Sequence, residues 1–498
     1  MPDPVLLCRL PIADAFAPEY LEYYGFLPLE LSERGLLVAV TGEPHTEALD
    51  DLRAFYDSPL ELVPVSTEEL HAAIRQAYAA GESVLELVRD LSADLSLEGA
   101  QPDDALTDVR DLANQPPVIR FVNLLIREAH DAAASDIHLE AMRDGLRVRL
   151  RVDGVLNELP GPPRGLQAAV VSRIKLLAEL DIAERRQPQD GRIRVRLESR
   201  ELDLRVSTVP TLYGESVVLR LLDRGGRPVG LDELGMSAEL ATTFRRLAQR
   251  PHGILLSTGP TGSGKTTTLY AALGLRHALQ EKVITVEDPV EYHLPGVTQV
   301  PVHHKTGMGF AAALRSILRQ DPDVLMVGEM RDQETAAIAV QAAMTGHLVF
   351  STLHTNDAAS ALTRLADLKV EPYMIAATLE GVLAQRLVRR ICPDCRERYR
   401  PDPAAVALLA ARPVGDLVLE RGRGCDRCRE TGYRGRTGIF ELMVLTDELR
   451  RDLTASVDLA GLRQHVREQG VATLREDAWA KVQAGITTVE EVLRVVES

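Results

Sequence analysis

The chain reads as a multidomain α/β protein built around a nucleotide-binding sheet, and three features predict it. A glycine-rich loop, Gly259-Pro260-Thr261-Gly262-Ser263-Gly264-Lys265-Thr266, lies between a strand-length apolar run and a helix-forming stretch. Across 236–390, short apolar runs alternate with helical patterns, as expected for parallel strands joined by crossover helices. Upstream, within 116–223, apolar residues alternate with charged ones, which marks antiparallel strands of a separate module.

A length of 498 residues accommodates several domains. Residues 1–81 form a small α+β unit, with a strand over 35–40 and a capping box, Ser66-Thr67-Glu68-Glu69, opening a helix that ends near Ala80. This unit carries no nucleophile or metal cluster and reads as an interaction module. Residues 82–115 are acidic and broken at Gln101-Pro102-Asp103-Asp104, so one helix and a flexible linker are expected. The module over 116–223 begins with a helix over 121–133. Strands are expected at 146–152, 192–197, 202–208 and 217–222, with Asp153-Gly154 as a hairpin turn. Their arginines give one cationic face, read mainly as solvated. A Gly-, Arg- and Pro-containing linker covers 224–235 and the α/β nucleotide-binding core 236–390. A cysteine module follows over 391–432 and a helical region over 433–498.

The loop has the context its chemistry needs. Apolar residues 254–257 form the preceding strand, and 266–278 read as the following helix, weakened inside by Gly274. Glycines let backbone N–H groups converge on phosphates, and the helix N-terminus favours their charge. Lys265 would reach the β- and γ-phosphates and Thr266 would offer its hydroxyl to Mg²⁺, with Thr267 beside it. ATP and Mg²⁺ are the implied ligands. Further strands are expected at 283–286, 324–327 and 348–351, and ligands gather at the ends of such strands. Glu287-Asp288-Pro289-Val290-Glu291 follows the first. Gly328-Glu329 follows the second, where Gly328 takes the usual aspartate position and leaves Glu329 alone. His347 and His354 flank the third. Carboxylates there can hold Mg²⁺ through water or orient an attacking water, and histidines can contact the γ-phosphate.

Cys392-Pro393-Asp394-Cys395 and Cys425-Asp426-Arg427-Cys428 supply four thiolates, a closed tetrahedral set suited to structural Zn²⁺. The 29 residues between the pairs make the connecting loop a long insertion. Cys8 reads as an ordinary small apolar residue.

Composition narrows the function. A net charge of −16, a pI of about 5.3, one Trp and 4% aromatic residues argue against whole-surface nucleic-acid binding. No apolar run approaches a membrane span, and Met1-Pro2-Asp3-Pro4 does not open an export signal, so a cytoplasmic protein is expected.

From about Pro117 onward the chain closely resembles the secretion traffic ATPases, in particular the type II secretion (general secretory pathway protein E, GspE) motors; the resemblance weakens before that residue. Residues 318–332 resemble the family signature, including the glycine before Glu329. Residues 285–292 resemble its aspartate box and 345–354 its histidine box. Ser135-Asp136-Ile137-His138-Leu139-Glu140 and Gln189-Asp190-Gly191-Arg192 resemble motifs of its second N-terminal domain. The resemblance implies a RecA-like P-loop ATPase domain preceded by a PAS-like α+β domain, in a cytoplasmic homohexamer. Arg205 and Arg220 would come from the PAS-like domain, and Arg315 and Arg319 from the helix before Glu329, toward the phosphates or the neighbouring subunit. Glu291 is the favoured water-orienting carboxylate, with Glu287 its rival. Ser216 stands where relatives often carry a basic residue. The implied motor drives pseudopilus assembly and export of folded proteins, at the cytoplasmic face of the inner membrane. Residues 1–81 would dock on the cytoplasmic part of a GspL-like platform protein, with a GspF-like protein as a further partner and no nucleic acid. The alternative is a type IV pilus assembly (extension) ATPase. A retraction motor lacks the cysteine insertion. Two readings stand outside protein export: a nucleic-acid-translocating ATPase, which the acidic charge disfavours, and a scaffold that binds ATP without turnover.

Overall fold

In a computed structural model of the chain, the described residues are 18–32, 35–42, 45–56, 58–67, 69–71, 73–74, 84–85, 87–88, 113, 115–197, 200–223, 229–276, 280–303, 307–410, 417–455, 459–468 and 470–496. The expected end near Ala80 of the helix capped at Ser66, most of the 82–115 linker, the 224–228 stretch and Cys8 lie outside them. The chain divides into two compact units, residues 1–199 with 203–221, and residues 200–202 with 222–498.

Within the first unit, β1 (Phe26–Ser32), β2 (Gly35–Val40) and β3 (Leu60–Pro64) form a three-stranded sheet in that order. The β1–β2 pairing is antiparallel and β2–β3 parallel, with the Thr46–Tyr56 helix making the crossover. Leu21, Phe26, Leu36, Val38 and Leu52 fill the core. Ser66 and Glu69 form the expected capping box: Ser66 Oγ accepts from the Glu69 amide at 3.2 Å, and Glu69 Oε2 from the Ser66 amide at 3.0 Å.

A six-stranded sheet follows, built from β4 (Ala134–Ala141), β5 (Leu146–Val152), β6 (Val155–Leu159), β7 (Gln189–Leu197), β8 (Arg200–Thr211) and β9 (Gly214–Asp223). Its order is β6-β5-β4-β9-β8-β7. The expected Asp153-Gly154 turn joins β5 to β6, with φ of 49° and 83°, the left-handed pair a two-residue hairpin needs. The preceding helix starts at Pro116, not near Phe121, and ends at Asp131. Two prolines occupy its first turn, where an N–H would have no helical partner anyway. The arginine face is a lattice of ion pairs rather than a bare cationic surface. Arg149 meets Glu140, Arg147 meets Glu158 at 3.6 Å, and Asp136 takes both Arg151 (3.8 Å) and Arg220 (2.9 Å).

The second unit is organised by a seven-stranded sheet. Its strands are β10 (Gly253–Thr258), β11 (Val283–Glu287), β12 (Thr298–Pro301), β13 (Val324–Val327), β14 (Leu348–Leu353), β15 (Leu379–Ile391) and, after two short strands, β18 (Tyr433–Val444). The order is β12-β11-β13-β14-β10-β15-β18, parallel except for β18. Every residue of β10, β11, β13 and β14 is buried, because helices cover both faces. The four expected strands are present, each within two residues of its expected ends. Residues 433–498, expected to be helical, instead begin with the twelve-residue strand β18, which pairs with β15 from Gly381 opposite Val444 to Ile391 opposite Tyr433. Helices do occupy Asp447–Ala455, Leu459–Glu468, Leu474–Gln483 and Val489–Val496. Between β15 and β18, the cysteine insertion carries β16 (Arg396–Tyr399) and β17 (Leu419–Gly422), paired antiparallel, and the Pro403–Ala410 helix. Among the described residues no helix is long and apolar enough to cross a membrane.

Candidate active site

The carboxyl ends of β10, β11, β13 and β14 lie along one edge of the sheet, and most of the expected site residues follow them there. The phosphate loop leaves β10 and enters the Lys265–Leu273 helix. Gly264 caps that helix in the left-handed region at φ 87°, a conformation side chains resist. At Gly259 a Cβ would stand 2.4 Å from the Gln385 carbonyl oxygen. The helix ends at Leu273, earlier than the expected 278, and Gly274 is its C-cap. A residue costing about 1 kcal/mol inside a helix thus marks its boundary.

Lys265 is 8% exposed, and its Nζ donates to the carbonyls of Gly259 (2.8 Å) and Pro260 (2.9 Å). Burial depresses its pKa to about 8, against the opposing pull of Glu329. Ser263 Oγ is buried inside the loop and has no hydrogen-bond partner among the described residues. An orphaned hydroxyl within a cradle of glycine amides fits a phosphate oxygen. Thr266 and Thr267 are half-buried in the first helical turn. Behind the loop, Gln385 of β15 donates to the Ser263 carbonyl at 2.7 Å and accepts from Ser257 Oγ at 3.2 Å.

Glu329 follows β13 and is 9% exposed. It pairs with Arg331 at 2.6 Å and lies 3.4 Å from His354 Nε2. Gly328 has a packing reason, since a Cβ there would come within 3.2 Å of the Val286 carbonyl oxygen and 3.3 Å of the Phe310 ring. His354 is held below the ordinary imidazole value by burial first and by Lys265 second, with Glu329 opposing. Lys265, Glu329 and His354 therefore form one electrostatic cluster with Arg331.

The two glutamates of the aspartate-box stretch differ sharply. Glu287 is 2% exposed and accepts hydrogen bonds from Tyr270 OH, Thr285 Oγ1 and Gln299 Nε2, the last at 3.2 Å. Burial and the Glu287 charge push the Tyr270 phenol well above its ordinary range. Glu291 is exposed.

Other expected residues stand elsewhere. His347 precedes β14, and its carbonyl accepts from the Gly253 amide at the amino edge of the sheet (3.1 Å). The loop lies at the opposite edge, the six residues of β10 away, about 20 Å at ~3.3 Å per residue. Its Nδ1 is engaged by the Ala342 carbonyl (2.8 Å) and Thr345 Oγ1 (3.2 Å), so His347 serves a helix-to-strand turn and does not join His354. Arg315 pairs with Glu334, and Arg319 donates to the Arg315 carbonyl at 3.0 Å; both are exposed. Arg205 and Arg220 are exposed on the neighbouring strands β8 and β9 of the first unit. Ser216 Oγ accepts from the Ala141 amide at 3.2 Å, a role within that sheet.

Arg331, Gln385, Tyr270 and Gln299 were not anticipated from the sequence. A signal existed for Gln385, an amide directly after the apolar run Val382-Leu383-Ala384. Arg331 stands two residues after Glu329 in the quoted signature.

The four cysteines come together as expected. Their sulfurs all lie within 4.8 Å of one another, with 3.9 Å between Cys392 and Cys425, 3.8 Å between Cys395 and Cys428, and 3.6 Å between Cys425 and Cys428. Zinc–sulfur bonds of about 2.3 Å in a tetrahedron would separate the sulfurs by about 3.8 Å, so the donor set fits Zn²⁺. Amides of Gly432 and Cys425 each donate to Cys428 Sγ at 3.2 Å. Burial raises that thiol's pKa, but these donors outweigh it and bring it to about 7.

The Type II/IV secretion system protein family model matches residues 111–494, and a MshEN domain model matches residues 2–84. Type II secretion system protein E of Pseudomonas aeruginosa is 47% identical over 498 residues, spanning 97% of this chain and 98% of the relative. The type IV pilus assembly ATPase PilB of Myxococcus xanthus is 41% identical over 480 residues, spanning 95% of this chain and 85% of the relative. Among solved structures, the pilus retraction motor PilT with bound ADP is similar at a TM-score of 0.51 and 27% identity, over 74% of this chain and 95% of that one. With a family model covering most of its length, the chain belongs to the Type II/IV secretion system protein family.

Proposed function

We propose that this chain is the ATPase motor of a type II secretion system, whose hydrolytic cycle drives pseudopilus assembly and the export of folded proteins across the outer membrane. One observation carries the reading: Lys265, Glu329 and His354 meet at the carboxyl edge of a parallel sheet, beside a glycine loop holding an orphaned hydroxyl. The near full-length similarity to a type II secretion system protein E supplies the biological setting.

In this reading residues 236–390 are a RecA-like core, and Gly259 to Thr267 hold the phosphates. Lys265 exchanges its two carbonyls for β- and γ-phosphate oxygens. Thr266 would hold Mg²⁺, which would supply charge neutralisation at the transferred group. Glu291 orients the attacking water, and its exposure supports that role over Glu287, whose two oxygens are already engaged. Glu329 acts through His354 and would help hold Mg²⁺ through water, and His354 approaches the γ-phosphate. Arg205 and Arg220 from a PAS-like domain (116–223), with Arg315 and Arg319, act on the phosphates or on the adjacent subunit of a homohexamer. Arg220 and Arg315 would first release Asp136 and Glu334. Such arginines contribute about 10³–10⁵ in rate where they stabilise phosphoryl transfer.

Residues 82–115 and 224–235 are linkers, 391–432 a structural zinc module closed by four thiolates, and 433–498 the C-terminal region. Residues 1–81 dock on the cytoplasmic part of a GspL-like platform protein, with a GspF-like protein as second partner. The motor is thereby cytoplasmic and peripheral to the inner membrane.

The test is phosphate release by the full chain with Mg²⁺, ATP and the partner's cytoplasmic domain. Lys265→Ala and Glu329→Gln should bring release to background, and variants as active as wild type would overturn the reading. The match to PilB keeps pilus assembly as the second reading. A deletion strain that loses surface pili and keeps exporting proteins would select it.

A further inference from the structure

Glu287 closes β11 in the company of side chains from three elements. Tyr270 reaches it from the phosphate-loop helix, Thr285 from its own strand and Gln299 from β12. The Gln299 amide does more than touch Glu287. Its Nε2 also approaches Tyr270 OH (3.3 Å) and the Tyr292 carbonyl (3.1 Å), while its Oε1 accepts from the Leu294 amide (2.8 Å). Tyr270 and Tyr292 cross edge to face with centroids 4.6 Å apart. The segment just past Glu291 is thus gripped by one side-chain amide and one aromatic ring. Both grips lead back to the helix that begins at Lys265, the ring directly through Tyr270 and the amide through Glu287 and Tyr270 OH. A buried carboxylate with both oxygens engaged by side-chain donors is held in one orientation and serves as an anchor for the groups that hold it.

We infer that Tyr270 and Gln299 are positioning residues for ATP hydrolysis, which with Glu287 clamp the Glu291-bearing loop against the phosphate-loop helix. This rests on the ATPase reading and divides labour within it: Glu287 anchors, and Glu291 meets water. Displacement of a reacting group by about 1 Å is enough to cost on the order of 10²-fold in rate, while phosphate binding by the loop is untouched. The clamp therefore acts on kcat and spares nucleotide affinity.

The experiment measures phosphate release and the Kd of a fluorescent non-hydrolysable ATP analogue with Mg²⁺. Tyr270→Phe keeps the ring and removes the hydroxyl; Gln299→Leu removes the amide at similar volume. Each should lower kcat about tenfold or more with Kd within about twofold. In a Glu291→Gln background, Tyr270→Phe should add less than about twofold, because residues acting as one unit are not additive. Wild-type kcat in both variants overturns the clamp. So does a Kd weakened by the same factor as kcat, or a full loss repeated in the Glu291→Gln background. A wild-type chain that releases no phosphate overturns the proposed function and the clamp with it.

Discussion

Lys265 offers a measurement that reads the loop directly. Its pKa stands at about 8 against an ordinary 10.5, because burial disfavours the ammonium more than Glu329 favours it. At pH 8.5 roughly a quarter of such a group is protonated. A triphosphate placed against the ammonium supplies the missing counter-charge and returns the pKa toward its ordinary value, where it is almost fully protonated. Binding should then take up about 0.7 proton per site at pH 8.5, and about 0.1 at pH 7. The sign follows: affinity weakens as pH rises between about 8 and 10.5, because the bound state holds the extra proton. Calorimetry of a non-hydrolysable ATP analogue in buffers of different ionisation enthalpy gives the proton count as a slope. Lys265→Arg, charged throughout this range, should abolish it. An uptake below about 0.2 at pH 8.5, or an uptake unchanged in Lys265→Arg, would refute the reasoning.

Three further outcomes are expected. Glu329→Gln should lower kcat by about 10²-fold or more while the analogue still binds, checked by phosphate release beside equilibrium titration. Cys428→Ser should remove about one zinc per chain by elemental mass spectrometry and lower the melting temperature, since three thiolates leave the set incomplete. Glu491 has a side chain that is 0% exposed and pairs with Arg389 at 2.8 Å and Arg494 at 2.6 Å. Burial raises its pKa, but Arg494 and Arg389 outweigh that and hold it below 4.5. Its stabilisation is thus present above the unfolded value and lost as pH falls through the lower folded one. Glu491→Ala should cost about 3–5 kcal/mol in denaturant unfolding at neutral pH, by leaving the mostly buried Arg389 without that partner. A loss under about 1 kcal/mol would show the pair to be dispensable.

Much of the sheet was legible because its central strands are unbroken apolar runs, as at 283–286 and 324–327, framed by motifs that need strand ends. β15 and β18 were harder. Gln385, Arg386 and Arg389 interrupt β15, and the partners that make them tolerable lie far along the chain, Ser263 for Gln385 and Glu491 for Arg389. β18 pairs with a strand some fifty residues earlier, and no local pattern announces that pairing. The distinction between His347 and His354 was readable in principle, because a strand between two residues sends them to opposite edges of a sheet. Choosing between Glu287 and Glu291 was not readable. What separates them is Tyr270 and Gln299, whose approach is decided by tertiary packing.

The cysteine insertion departs from the sheet at Ile391 and returns at Tyr433, two residues facing each other across adjacent antiparallel strands. Such a doorway makes the excursion topologically equivalent to a hairpin turn, however many residues it holds. Lengthening or exchanging it changes closure entropy only logarithmically, by about 0.6 kcal/mol per doubling. The position is therefore a natural grafting point, where lineages could exchange accessory modules, or an engineer could install a reporter, without rethreading the ATPase scaffold.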